Sequence, residues 1–312
     1  MSLSVERVHR RTRRQIGATR ALNFACAPLV SPDSLPARIM DQDPLLLPSH
    51  AKELPPAAFS LGLRAGQVGT HTSRTMMLDE AVALFAACPR DASRAQYREA
   101  IMAHNCLGKR TLSTRRASDQ RLGELYALDP NVALFRVMRA LWESDERGRP
   151  LLALLLAVAR DPLLRISAEP VLRATPGEQI PRQRFTEAVS RATGARFNDE
   201  ILDKIVRNAA SSWTQSGHLQ GRSHKIRCLV FPTPYVVAYA LLEGFILGAR
   251  GQALFHSLPA RLLDAPVSRL IDLAQDAKRL GLLDLKVGGD VIEITFPTLL
   301  TEEERRLLYG KN

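Results

Sequence analysis

Basic and hydroxyl-bearing side chains alternate through residues 105–116, a combination that suits the binding of phosphate groups. Guanidinium groups donate two hydrogen bonds to one phosphate, and the backbone N–H groups at the start of a helix are free to bond the same oxygens. A helix start is predicted at Ser113 or Thr114. Within residues 105–121, Asp119 is the only acidic residue. Contact with a phosphate backbone is therefore predicted for Asn105, Lys109, Arg110, Ser113, Thr114, Arg115, Arg116 and Arg121.

A second basic segment, residues 220–227, is predicted as a turn between a helix and a strand. Its candidate phosphate contacts are Arg222, Lys225 and Arg227. A wing that touches DNA and an ordinary surface turn look alike in sequence. For both segments the alternative is a solvated cationic face, since the chain uses 36 Arg and only 7 Lys, as a GC-rich genome would produce.

The basic excess lies upstream of residue 264. The 312-residue chain carries 43 Lys and Arg against 32 Asp and Glu, a formal charge of +11. Residues 264–312 hold nine acids and seven bases, so the preceding residues carry +13. This charge favours a polyanionic partner, with nucleic acid, an anionic membrane surface and an acidic macromolecule as the alternatives. Aromatic residues make up only 5% of the chain, which disfavours base stacking on single strands.

Helices must position both basic segments, and apolar residues at three- and four-residue spacings predict them from residue 59 onward. Ser93 and Gln96 form a capping-box pattern, and Asp129-Pro130 is typical of a helix start. The predicted helices cover residues 72–87, 93–105, 131–143, further helices starting near Pro150 and Pro162, and then residues 181–193, 198–216, 235–247, 267–280 and a last helix from Thr301.

Two regions carry strand patterns. Residues 225–231 are predicted as a short strand. Residues 283–287 alternate apolar and polar side chains, Gly288-Gly289 suits a tight two-residue turn, and Val291–Phe296 returns as a second strand. A helix followed by such a hairpin is the closing half of a winged helix. An ordinary hairpin that caps a helical domain is the alternative.

These elements predict a mainly α fold with two helical domains, helix-turn-helix or winged-helix-like elements and a C-terminal β-hairpin. The first domain is predicted at residues 58–174 and contains the basic segment, and the second covers residues 175–312. Residues 1–57 are rich in Arg and Pro and are predicted to be a disordered tail. A transit peptide, a basic arm that touches phosphate, a start codon assigned too far upstream and an arm without function stay open for the tail.

Catalytic signatures are missing from the sequence. The glycines between residues 62 and 69 have the wrong spacing for a dinucleotide fold, and Gly108-Lys109 lacks the rest of a phosphate-binding loop. Residues 218–228 offer two histidines and a cysteine but no companion pair of metal ligands. The protein is therefore predicted to be no enzyme and to use no metal or other cofactor.

Cysteine usage and hydropathy bear on location. The four cysteines are scattered and form no C-x-x-C pair, which describes neither a disulfide framework nor a zinc site. No apolar stretch reaches the 18 residues of a spanning helix, and residues 151–159 and 235–247 are predicted as buried core helices. A cytoplasmic protein without membrane contact is expected.

Five short motifs occur in order along the chain. They are Asn105-x-Leu107-x-Lys109 with Ser113-Thr114, Asp161-Pro162-Leu163-Leu164, Ser216-Gly217-His218-Leu219-x-Gly221-Arg222, Leu241-Leu242-Glu243-Gly244, and Gly281-Leu282-Leu283 before Val291–Pro297. In their order and spacing they resemble the BrxA family of bacteriophage-exclusion (BREX) defence systems, over about residues 58–298.

The resemblance implies a helical, non-enzymatic accessory protein that binds double-stranded DNA beside the methyltransferase and ATPases of its operon. The family has no established catalytic set, so the basic candidate residues rest on the charge argument alone. The tail departs from the family pattern. A scaffold or adaptor that joins the other defence proteins and meets DNA only incidentally is the alternative function. DNA sequence preference and oligomeric state stay open.

Overall fold

The computed structural model describes residues 55–66, 68–194, 196–289 and 291–309, which are mainly α-helical, as predicted. These residues contain fourteen α-helices, two 3-10 helices and five short strands in two sheets. The predicted disordered tail lies outside the described residues except for its last three, and Pro56 begins the first helix.

Eight helices precede the first strand. They are α1 Pro56–Ser60, α2 Leu78–Ala87, α3 Arg94–Met102, α4 Leu112–Tyr126, α5 Ala133–Ser144, α6 Arg149–Arg160, α7 Pro162–Ile166 and α8 Ala168–Arg173, with a 3-10 helix at Thr70–Thr72. The remaining elements are β1 Gln179–Ile180, α9 Arg182–Thr193, α10 Asp199–Gln215, β2 Leu219–Gln220, β3 Lys225–Arg227, α11 Pro234–Ile246, a 3-10 helix at Gly251–His256, α12 Leu258–Arg261, α13 Val267–Arg279, β4 Asp284–Gly288, β5 Val291–Thr295 and α14 Glu302–Tyr309.

Local chemistry sets several helix ends where they were predicted. The Ser93 hydroxyl accepts from the backbone N–H of Gln96, whose side chain accepts from the N–H of Ser93, and this capping box opens α3. The Asn198 side chain accepts from the N–H of Ile201 at 2.9 Å and opens α10. Gly194 ends α9 at φ +60°, a conformation that favours glycine.

Two predicted helix starts are wrong, because a distant side chain in one case and a neighbouring side chain in the other bind the backbone N–H groups. The helix predicted from residue 72 begins only at Leu78, since Met77 has φ +55° and the Met76 N–H donates to Ser212 of α10 at 2.8 Å. The helix predicted from residue 131 begins at Ala133, because the Asp129 carboxylate accepts from the Asn131 N–H at 3.0 Å and forms a turn.

The larger sheet is antiparallel, with β3 between β1 and β2. The predicted strand at residues 225–231 is confirmed only at Lys225–Arg227, since the Val230 N–H donates to the Asp264 carboxylate at 3.2 Å. The predicted C-terminal hairpin is present as β4 and β5. Gly288 pairs with Val291 inside the hairpin. Of the two glycines predicted for the turn, only Gly289, at φ +58°, therefore belongs to it.

A continuous hydrophobic core runs through the described residues, with α6 and α11 at its centre. Contacts cross the predicted domain boundary at residues 174–175, because α9 packs against α7 and α8, and α10 packs against α6 and α7. The division into two domains stays a prediction. Among the described residues, no helix is both long enough and apolar enough to cross a membrane.

A buried polar network joins three parts of the chain. His71 Nδ1 lies 2.8 Å from Asp161 Oδ2, and His71 Nε2 lies 2.8 Å from the Ser212 hydroxyl. The other Asp161 oxygen accepts from the N–H groups of Leu163 and Leu164 at the start of α7. All three network side chains are buried. The network therefore fixes the segment before α2 to the start of α7 and to the last turn of α10.

Glu243 is an ionisable side chain buried in the apolar helix α11. Burial raises the pKa of its carboxyl to about 8, although a hydrogen bond with Tyr239 and the charge of Arg165 oppose the rise. Its Oε1 atom has no hydrogen-bond partner among the described residues. The carboxyl is therefore protonated in the folded protein at neutral pH.

Replacing Glu243 with Gln should make stability less dependent on pH. The carboxyl keeps its proton up to about pH 8 when folded but loses it near 4.5 when unfolded. The free energy of unfolding should therefore fall by up to about 1.4 kcal/mol per pH unit between these values, and Glu243→Gln should remove that fall. Denaturant midpoints measured across this range test it, with the exposed Glu303→Gln as control. Equal pH dependence in the two variants would argue against a protonated Glu243.

Gly69→Ala should destabilise the protein, because a Cβ at Gly69 would lie 2.1 Å from the Asp161 carboxylate. That carboxylate is held by His71 and two backbone N–H groups, so the overlap should cost about 1–3 kcal/mol. Gly288→Ala is the matched control, since a Cβ there meets nothing within 4 Å, and its effect should stay within about 0.5 kcal/mol. Unfolding in urea measures both, and equal midpoints would show that the Asp161 carboxylate is not fixed in place.

Candidate nucleic-acid interface

The first basic segment forms a loop that ends at the start of α4. Thr111, rather than Ser113 or Thr114, precedes the helix, and its hydroxyl accepts from the Thr114 N–H at 3.1 Å. The Asn105 side chain accepts from the Lys109 N–H at 2.8 Å, so Asn105 shapes the loop. Asn105 itself has φ +51°, which an asparagine adopts more readily than most residues.

Arg110 and Arg116 keep their guanidinium groups free in solvent. Both side chains are exposed, and neither forms a hydrogen bond or an ion pair with another described residue. Ser113 is also exposed, in the first turn of α4 between these two arginines. The three side chains can therefore meet a phosphate without first leaving an intramolecular partner.

Lys109 has an acidic partner far away in sequence, and Arg121 has one three residues later on α4. Lys109 Nζ lies 2.8 Å from a carboxylate oxygen of Glu80 in α2, and Arg121 Nη1 lies 2.7 Å from one of Glu124. Burial would raise the pKa of Glu124, but hydrogen bonds from Arg121 and Thr70 outweigh it and lower that pKa. Both cations are thus partly neutralised by acidic partners.

Arg115, a predicted phosphate contact, is half-buried and bonds to backbone carbonyl groups. Its Nη1 donates to the carbonyl of Met102, the last residue of α3, at 3.0 Å. Its Nε donates to the Lys109 carbonyl at 3.4 Å. The guanidinium therefore satisfies carbonyl groups at the end of a helix and holds the loop against α4.

The second basic segment forms an exposed turn at residues 221–224, between β2 and β3. Arg222 is exposed there and has no partner among the described residues. Lys225 lies behind the turn, where its Nζ donates to the Thr214 hydroxyl at 2.9 Å and to the Gly221 carbonyl at 2.7 Å. Partial burial lowers the pKa of Lys225. Lys225 therefore braces the turn.

Arg227, another predicted phosphate contact, is buried. Its side chain is 4% exposed and forms an ion pair with Asp264, itself 5% exposed. Its Nε also donates to the Val171 carbonyl at 2.9 Å. Arg227 joins β3 to α8 and to the segment before α13, so its role is structural.

A short series of contacts connects the two basic segments. Lys225 bonds to the end of α10, and the next residue of that helix, Gln215, accepts from the Leu78 N–H at 3.1 Å. Glu80 follows Leu78 in α2 and pairs with Lys109. The end of α10 and the start of α2 therefore link the two segments, although they are more than 100 residues apart in sequence.

Sequence reasoning missed two basic side chains on α3. Arg94 and Arg98 both contact the buried carboxylate of Asp119, at 2.7 and 3.3 Å. Arg98 remains 62% exposed and extends the basic surface beside α4. Their spacing of four residues, which places both on one side of a helix, was the available signal.

The His71, Asp161 and Ser212 side chains have the order of hydrogen bonds found in hydrolase triads, but they are buried. Ser212 also accepts from the Met76 N–H, so its hydroxyl is engaged in packing.

His218 is buried with both ring nitrogens bonded, and burial lowers its pKa to about 4. Among the described residues, no group of three or more His, Cys, Asp or Glu could hold a metal ion.

No protein-family model matches the chain, and no curated protein matches it. Among the described residues, exposed and unpaired arginines lie in the first basic segment, at Arg110 and Arg116, and in the turn at residues 221–224, at Arg222.

Arg115→Ala should destabilise the protein, whereas Arg116→Ala should not. Loss of the Arg115 guanidinium leaves the Met102 carbonyl without its donor and should cost about 1–3 kcal/mol. Arg116 is exposed and unpaired, so its removal should change stability by no more than about 0.5 kcal/mol. Thermal unfolding of the two single variants makes the comparison. If Arg115→Ala melts with the wild type, the loop does not depend on that contact.

Proposed function

We propose that the protein is a non-enzymatic accessory protein of a BREX-like phage-defence system that binds double-stranded DNA mainly through phosphate contacts. The observation that carries the proposal is a set of exposed, unpaired arginines: Arg110 and Arg116 in the first basic segment and Arg222 in the turn at residues 221–224, two regions that contacts through α2 and α10 connect. Free guanidinium groups lose no intramolecular partner on binding, so their full charge is available to DNA.

The order of elements in residues 168–227 supports a winged-helix unit. A helix, α8, is followed by β1, by the helices α9 and α10, and then by β2 and β3 around a turn, with β3 central in the sheet. Winged helices have this order and use the turn between the last two strands as a wing. This unit lies upstream of the C-terminal hairpin, β4 and β5. For that hairpin the winged-helix interpretation made from the sequence stays a prediction.

The resemblance to the BrxA family agrees with this proposal. Its motif residues include Asp161, His218 and Glu243, which are buried and act in folding. The motifs therefore support a shared fold more than a shared binding site. The free cysteines Cys88 and Cys106 are compatible with the reducing cytoplasm where a DNA-binding defence protein would work.

A scaffold that joins other defence proteins is the second candidate, and one observation favours it. Leu229 and Phe231 follow β3 and are 46% and 72% exposed. Exposed apolar side chains close together are typical of protein interaction sites. Recovery of operon partners from nuclease-treated lysate, together with negligible DNA affinity, would favour this function over DNA binding.

The double variant Arg110→Ala/Arg116→Ala should weaken binding to all duplexes alike. Fluorescence anisotropy with a labelled duplex at several salt concentrations gives the affinity and its salt slope, which is about −0.9 per phosphate neutralised. Removing two phosphate contacts should make the slope shallower by about two.

Arg269→Ala is the matched control, because Arg269 is an exposed arginine on α13 within the acidic C-terminal region. It should bind like the wild type. If the wild type does not bind DNA at low salt, or if its binding ignores salt, the proposed function is wrong. Unchanged binding by the double variant would remove the α4 loop from the interface.

A further inference from the structure

The segment that precedes α2, together with the first residue of α2, covers one side of helix α10 along about two of its turns. Asn208, Ser212 and Gln215 lie on that side, and each bonds to the covering segment: Asn208 to the carbonyl of His71, Ser212 to the ring of His71, and Gln215 to the N–H of Leu78. These bonds are buried or half-buried. This side of α10 is therefore closed to any ligand.

On the outer side of α10, basic side chains pair with acidic side chains of the same helix. Lys204 Nζ lies 2.6 Å from a carboxylate oxygen of Glu200, and Arg207 Nε lies 2.9 Å from one of Asp203. Asp203 also pairs with Arg182 of α9. A helix that reads bases in the major groove presents its N-terminal residues to them. Here the first turn carries exposed acids, which DNA phosphates repel.

The turn at residues 221–224 has the opposite character, and we name it the contact turn. All four residues are exposed, and Arg222 is unpaired among the described residues. Gly221, at φ +93°, is required, because a Cβ there would lie 2.1 Å from the His224 carbonyl oxygen. With Lys225 bonded behind it, the contact turn is a rigid basic projection.

We infer that this unit meets DNA through the contact turn and not through α10, so that it grips the phosphate backbone without reading base sequence. The inference rests on the proposed function, since it specifies how DNA is bound. It departs from the usual winged-helix arrangement, in which the helix equivalent to α10 enters the major groove. Phosphate contacts carry no direct sequence information, so binding should be nearly independent of sequence.

Anisotropy titrations of the full chain with two variants test the inference. Arg222→Ala should weaken binding several-fold and make the salt slope shallower by about one. The matched control is Lys204→Ala/Arg207→Ala on α10, which removes two exposed cations and should change affinity by less than about twofold. Circular dichroism checks that each variant is folded. Duplexes of equal length and shuffled sequence should bind the wild type with closely similar affinity.

The outcomes separate the inference from the function on which it rests. A wild type that does not bind any duplex overturns the proposed function itself. A wild type that binds, but is weakened more by the α10 variant than by Arg222→Ala, overturns the inference alone. So does binding that Arg222→Ala leaves unchanged, or a sequence preference that the α10 variant abolishes.

Discussion

A buried histidine and carboxylate, His71 and Asp161, link three parts of the described chain: the segment before α2, the start of α7 and α10. Asp161 caps α7 with one oxygen and bonds His71 with the other, while His71 reaches Ser212 in α10. Both basic segments contact parts of the chain that lie next to this network, because Lys109 pairs with Glu80 of α2 and Lys225 bonds to Thr214 of α10. A polar network in so apolar an interior is tolerated because each of its groups has a partner.

Sequence reasoning succeeded where structure follows from neighbouring residues. The Ser93 capping box, the Asn198 cap and the Gly194 stop each involve groups within a few positions of one another, and their chemistry is visible in the sequence. It failed at Met77, because the backbone there turns to meet side chains more than 130 residues away. No local pattern contains that information.

The candidate site shows the same division. The two basic segments were evident from residue type, but the sequence could not show which cations are free. Lys109 finds Glu80 on another helix, Arg115 turns inward to backbone carbonyls, and Arg227 is buried against Asp264. Net charge therefore overestimates the cations that a ligand can meet, and only the paired contacts of the folded chain distinguish them.

Under the proposed function, the bond between Gln215 and Leu78, which joins α10 to α2, would make the two basic segments act as one bivalent ligand. Once one segment is bound, this connection would keep the other at a high local concentration relative to the same duplex, so two weak contacts would combine into a slowly dissociating complex. A duplex too short to reach both loops would gain none of this. Residence time on DNA should then rise in a step with duplex length, at the span that separates the loops.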